Sequence, residues 1–356
     1  MKKLPWEEFA ELPISDKLPF LSIDRTVNEP FHVLFAQQFD RPFLDSLFAL
    51  ADRIRKIHKT SDGVIFLRSL LADRQALNLF VQPSTRTFLS FLCAEQNLGM
   101  MTADIRDVST SSQAKGESLQ NTIRTFSSYV DLIVMRHPDK GACELAAWEM
   151  NMADRRIPIF NGGSGRDQHP TQALLDVYTI RKSVDEIDGK TIVMVGDLAR
   201  GRTVRSLSYL LKNYRDVSII YVSPERFRIG EDIKEFLDHH NMPFRETDDL
   251  ESVVGEADAI YMTRIQWEWD SAEGLAERHG ESDPRFVFRT EFLDKMKPKS
   301  CVMHPLPKIN EIDPELDYLD DPRLVYWRQE RNGMWIRAGL IARVFGLSDV
   351  IMSYKE

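Results

Sequence analysis

The stretch Ala76–Leu98, ALNLFVQPSTRTFLSFLCAEQNL, decides the fold. Its first six residues form a short, mostly apolar run of strand length, Gln82-Pro83-Ser84 breaks it, and Phe88, Phe91, Leu92 and Leu98 then fall on one helical stripe. A strand, a turn and a helix in so few residues is the repeating unit of α/β architecture. The same rhythm recurs outward from this segment. Strands are predicted at Ala76–Val81, Met101–Ile105, Asp131–Met135 and Ile157–Phe160, and again at Thr191–Val195, Val217–Val222, Ala257–Met262 and Ser300–Met303. Four and four predict two similar doubly wound parallel-sheet α/β domains. Between the sets, Asn161–Gln168 (NGGSGRDQ) reads as a Gly-rich loop feeding a helix at Pro170–Arg181, and a last amphipathic stretch, Arg331–Phe345, is expected to fold back on one of the domains. Residues 1–30 contain several prolines and no clear period, and are expected to lie on the surface as an extension.

Composition limits the function. The chain has 356 residues, 43% hydrophobic and 28% charged, enough apolar material for two ordinary domains. Forty-six basic against 55 acidic residues give a net charge of −9, which opposes general binding to nucleic acid or anionic membrane. No run is long enough to span a bilayer and MKKLPWEEFAELP has no signal-peptide core, so the protein is expected to be cytoplasmic. Cys93, Cys143 and Cys301 are odd in number and far apart, which argues against a disulfide frame or a structural metal.

Against this acidic background, cations follow the strands. Ser84-Thr85-Arg86-Thr87 follows the first, Arg136-His137-Pro138 the third, and Gln168-His169-Pro170-Thr171-Gln172 comes after the fourth. In the second set Gly201-Arg202-Thr203 follows the first strand and Thr263-Arg264-Ile265-Gln266 the third. Open parallel sheets bind ligands at the carboxyl ends of strands, so arginines gathered there predict an anionic ligand. Ser84–Thr87 stand at a helix N-terminus, where free N–H groups, hydroxyls and a guanidinium suit phosphate; a plain helix cap is the competing explanation. His169 is placed to donate to a carbonyl or move a proton, although a lone histidine is more often structural. No second ligand at metal spacing accompanies it. Gly196-Asp197-Leu198-Ala199-Arg200-Gly201-Arg202-Thr203 approaches a P-loop but has arginine for the essential lysine, and reads better as a glycine-containing turn. No G-x-G-x-x-G is present. His304-Pro305-Leu306-Pro307 would present rigid carbonyl oxygens able to accept from an amine. Ser109–Glu117 taken alone reads as a solvated loop with one cation.

Together PSTRT, AKGES, VMRHP, DQHPTQALLD, VGDLARGRTVRSL, YMTRIQ and HPLP, in this order between about Phe31 and Phe345, resemble the aspartate carbamoyltransferase family. The resemblance implies a carbamoyl-phosphate domain at 31–168, an interdomain helix at 169–185, an aspartate domain at 186–328, and a C-terminal helix at 329–356 packed on the first domain. It implies that Ser84, Thr85, Arg86 and Thr87 bind the phosphate of carbamoyl phosphate. Thr87, Arg136 and His169 would contact its carbonyl oxygen, Gln172 its amide, and Leu306 with Pro307 would complete that side. Arg202, Thr203, Arg264 and Gln266 would hold aspartate, while Ser111 and Lys115 would enter a neighbouring subunit's site in a homotrimer. Arg86, Thr87, Lys115, Arg136 and His169 would carry catalysis, with no metal, organic cofactor or covalent nucleophile, and regulatory or other pyrimidine-pathway subunits could attach. The chain departs from the family at Phe88 and Leu92, where an Arg/Glu pair is usual, at Gln82 for Glu, and at Trp269 for Arg; the last two bear on domain closure. Ornithine as the acceptor, a non-catalytic nucleotide-binding regulator, and a silent partner subunit are the alternatives. Pro305, where the ornithine branch typically has Cys, and Arg264 favour aspartate.

Overall fold

The computed structural model describes residues 4–22, 30–107, 116–165, 168–264 and 283–355. The chain divides into two compact units, Met1–Leu174 with Arg331–Glu356, and Leu175–Glu330.

Unit 1 contains α1 (Trp6–Glu11), α2 (Ile14–Lys17), α3 (Arg41–Ile57), α4 (Ser61–Ser69), β1 (Gln75–Phe80), α5 (Thr85–Asn97), β2 (Met101–Ile105), α6 (Leu119–Phe126), β3 (Leu132–His137), α7 (Ala142–Met152) and β4 (Ile159–Ser164). Its sheet is parallel in the order β2-β1-β3-β4. Residues Ala76–Phe80 of β1 are buried throughout, as a strand covered on both faces must be. Behind β1, α5 packs Phe88 edge-on against Phe80, with the Arg106 guanidinium 4.6 Å over the Phe88 ring. Deeper in the same contact Asn78 Nδ2 donates to Glu95 Oε2 at 2.7 Å. Burial pushes the Glu95 carboxyl up to about 8, and the Asn78 amide only partly opposes this.

Two helices hold the unit boundaries, α8 (Pro170–Val184) and, near the C-terminus, a 19-residue helix from Tyr326 to Val344. Unit 2 contains β5 (Thr191–Val195), α9 (Arg202–Leu211), β6 (Ser218–Val222), α10 (Glu231–His239), β7 (Phe244–Thr247), β8 (Ala259–Met262) and β9 (Cys301–Met303). Its sheet is parallel in the order β7-β6-β5-β8-β9. The Tyr326–Val344 helix is α11, and α12 (Ser348–Ser353) follows it in unit 1.

Three expectations are corrected. The second sheet has a fifth strand, β7: Phe-Arg-Glu-Thr lies at the sheet edge, half-exposed, with Arg245 paired to Glu256 and Glu246 to Lys234, so it lacks the apolar run that marks the others. β4 continues through Asn161-Gly162-Gly163-Ser164, all buried, where a loop was expected. The N-terminal segment is helical and contributes to the interior: Phe9 and Leu21 are buried, Lys17 Nζ meets Glu144 Oε2 at 2.7 Å, and Trp148 Nε1 donates to the carbonyl of Leu4. The three cysteines are free; Cys93 on α5 is exposed, and burial pushes the Cys143 and Cys301 thiols up to about 12.

Candidate functional site

In unit 1 the β1 chain passes through Gln82 and Pro83 into α5. Ser84 is the extended residue before the helix, yet its side chain makes no capping bond, so the ordinary cap does not account for it. Thr85 and Arg86 are exposed and Thr87 is buried one step further into the first turn. The opening N–H groups of α5 and the positive end of its dipole face the same place, an arrangement suited to a phosphate.

Arg136 comes from the neighbouring strand, level with Phe80. Its position depends on the glycines of β4. Met135 pairs with Asn161 but His137 pairs with Ser164, so β4 carries one extra residue opposite Arg136. Gly163 takes φ +114°, a backbone open only to glycine, and its N–H donates to Asn161 Oδ1 at 2.8 Å. The Gly162 carbonyl then accepts from Arg136 Nη1 at 3.0 Å. The buried guanidinium is thus aimed by a bulge. His169 precedes α8; its backbone carbonyl accepts from the N–H groups of Gln172 and Ala173, and its ring sets Nε2 3.3 Å from Thr87 Oγ1. Thr87, Arg136, His169 and Gln172 are all nearly buried, so a ligand carbonyl reaching them would meet donors largely out of water.

In unit 2, Arg202 and Thr203 open α9 after β5, and Arg264 follows the adjacent β8. Burial lowers Arg202 to about 10, so it stays cationic at neutral pH and can meet an anionic carboxylate. The two strand ends meet closely at Gly196, where an added Cβ would lie 2.1 Å from the Thr263 carbonyl oxygen. The Gly196–Gly201 turn is no phosphate cradle. Its buried Asp197 accepts from the Arg200 N–H and from its guanidinium, both at 3.0 Å, placing a carboxylate where a P-loop offers N–H groups.

The His304–Pro307 turn is held from beneath. Leu306 has φ +52°, and its N–H donates to His304 Nδ1 at 2.8 Å. The ring therefore carries its proton on Nε2, which lies 3.7 Å from Glu311 Oε2. The His304 N–H donates to Gln329 Oε1 at 2.9 Å; Gln329 Nε2 donates to Asp176 Oδ1 at 2.7 Å; and the Tyr261 hydroxyl donates to Asp176 Oδ2 at 2.8 Å.

Thus the structure brings together Thr87 and His169, sets Arg136 beside β1, the strand that leads into Ser84–Thr87, and places Arg202, Thr203 and Arg264 after adjacent strands. Ser111, Lys115, Gln266 and Trp269 lie outside the described residues. Sequence reasoning missed Asn161, Asp176, Tyr261 and Gln329. One signal for Asp176 was present: a carboxylate among Leu174, Leu175, Val177 and Tyr178 on an otherwise apolar stretch of helix.

Comparison with known proteins bears on both units. Residues 32–182 match the family model "Aspartate/ornithine carbamoyltransferase, carbamoyl-P binding domain", and residues 188–344 match "Aspartate/ornithine carbamoyltransferase, Asp/Orn binding domain". Chloroplastic aspartate carbamoyltransferase 1 of Pisum sativum is 43% identical over 315 residues, covering 87% of this chain and 77% of that protein. The aspartate carbamoyltransferase catalytic subunit of Clostridium novyi (strain NT) is 41% identical, covering 85% and 94%. Among solved structures, aspartate transcarbamoylase of Trypanosoma cruzi in complex with carbamoyl phosphate and aspartate superposes with a TM-score of 0.78 at 35% identity, covering 87% of this chain and 95% of that one.

Proposed function

The chain belongs to the aspartate/ornithine carbamoyltransferase family, and from that premise we propose that it transfers the carbamoyl group of carbamoyl phosphate to the amine of L-aspartate, giving N-carbamoyl-L-aspartate and phosphate. The observation that carries the reading is the buried Thr87–His169 contact at the start of α5, with the buried Arg136 on the strand neighbouring β1. Ser84, Thr85 and Arg86 hold the phosphate; Thr87, Arg136 and His169 donate to the carbonyl oxygen, and Gln172 meets the amide. Arg202 and Arg264 hold the aspartate carboxylates, and the Leu306 carbonyl accepts from the amine. The neutral amine forms the new C–N bond, the carbonyl oxygen takes up negative charge, and collapse breaks the C–O bond to phosphate, which leaves with the electron pair and the amine proton. Fixed donors stabilise the oxyanion more than the planar ground state, which is how they accelerate the step.

Purified protein given carbamoyl phosphate with aspartate or with ornithine tests the reading by phosphate release and product mass. Release that depends on aspartate supports it; release only with ornithine moves the chain to the other branch of the family. Arg264→Ala should raise the KM for aspartate roughly 10- to 100-fold, the worth of a charged hydrogen-bonded contact. We also read the active form as a homotrimer in which Ser111 and Lys115 serve a neighbour's site. Light scattering tests the mass, and regain of activity on mixing inactive Lys115→Ala and Arg136→Ala proteins tests the sharing.

A further inference from the structure

We propose that Asp176 is a positioning residue for the amino-acid acceptor, holding two parts of the acceptor side in register through Tyr261 and Gln329. The inference rests on the proposed activity. All the residues concerned belong to unit 2. Asp176 is fully buried on α8, and its two carboxylate oxygens are divided between two arms. Through Oδ2 it holds the Tyr261 hydroxyl on β8, the strand that leads into Arg264. Through Oδ1 and Gln329 it reaches the His304 N–H, and His304 Nδ1 then fixes the Leu306 N–H.

The links from Asp176 to Tyr261 and to Gln329, and from Gln329 to His304, are all between buried, complementary groups. Gln329 is oriented at both ends: its amide nitrogen faces Asp176 and its amide oxygen faces the backbone of His304. Leu306 occupies a left-handed conformation that a leucine adopts only when its surroundings impose it, and the His304 contact is the restraint in place. A carboxylate is costly to bury unless its bonds are satisfied, and a satisfied network in a low-dielectric interior is stiff. Stiffness is what the acceptor side needs. An amine must approach along one line while its carboxylates stay on Arg202 and Arg264, and small misplacements are expensive in rate.

The test compares Tyr261→Phe, Gln329→Leu and Asp176→Asn. The first deletes the Tyr261 arm, the second deletes the His304 arm, and the third preserves volume but turns an amide N–H₂ toward a donor. For each, melting temperature, KM for aspartate, kcat, and calorimetric affinity for carbamoyl phosphate alone are measured. The proposal expects the KM for aspartate to rise roughly tenfold or more, with carbamoyl phosphate affinity within about twofold of wild type. Folded variants with an unchanged KM for aspartate, or with equal losses for both ligands, overturn it, since these are the outcomes of a purely structural network. If Asp176→Asn fails to fold, the two single-arm variants still decide. A wild-type protein without aspartate-dependent phosphate release would instead refute the proposed activity.

Discussion

In unit 1 the candidate ligand groups are set by the main chain, whereas in unit 2 they are set by side chains holding other side chains. Arg136 takes its direction from the bulge at Gly162 and Gly163 opposite it, and Ser84–Arg86 project from the opening of a helix. The His304–Pro307 turn is braced instead through Gln329 and a buried carboxylate that also holds Tyr261 of β8. The difference follows from the ligands each unit is read to take. A phosphate is met by N–H groups and helix ends that any strand-to-helix turn can supply. A small amino acid needs two carboxylates and one amine located together, and backbone alone does not provide that many fixed points.

The comparison can be broken or sharpened by mutation. The largest effect is expected from Arg136→Ala, which should lower kcat by about 100- to 1,000-fold, the worth of one oxyanion donor, in protein with a native circular dichroism spectrum. Gly196→Ala should follow. Its Cβ would strike the Thr263 carbonyl oxygen, and its φ is +119°, so a loss of about 3 kcal/mol or more in urea unfolding is expected, centred on unit 2. Glu95→Gln probes the floor of unit 1. The folded carboxyl keeps its proton up to about 8, whereas the unfolded one loses it near the usual 4.5, so between those values the native state holds more protons and stability falls as pH rises. The glutamine variant lacks that loss. Its unfolding free energy should gain on wild type from pH 5 to pH 8, by at most about 1.4 kcal/mol per pH unit. Ser84→Ala should be the mildest for stability, within about 0.5 kcal/mol, because no cap bond is lost, while calorimetry should show weakened carbamoyl phosphate binding.

How far these features were legible depends on how local their causes are. The β1-to-α5 turn was plain because an apolar run, a proline and a helical stripe lie within one short segment. β7 was not, because an edge strand half open to water carries charges that read as loop. Asn161–Ser164 was misread for a related reason: glycines that usually mark turns here let a buried strand bulge, and only pairing with β3 reveals it. Arginines at strand ends could be listed from the chain alone. The Asp176 network could not, since Gln329 lies 153 residues from Asp176 and their contact exists only in the folded unit. Charge at strand ends marks where ligands go, while the groups that aim those charges are distant in sequence and chemically ordinary.

The cysteines have a practical consequence for labelling. Cys143 and Cys301 are enclosed and hold their protons, while Cys93 stands open on α5, the helix that begins at Thr85. A thiol-reactive dye added to the native wild-type protein should therefore attach at one place, with no engineering. The fluorophore would ride on the helix whose first turn is read to receive the phosphate, so its emission could be followed as carbamoyl phosphate is titrated in.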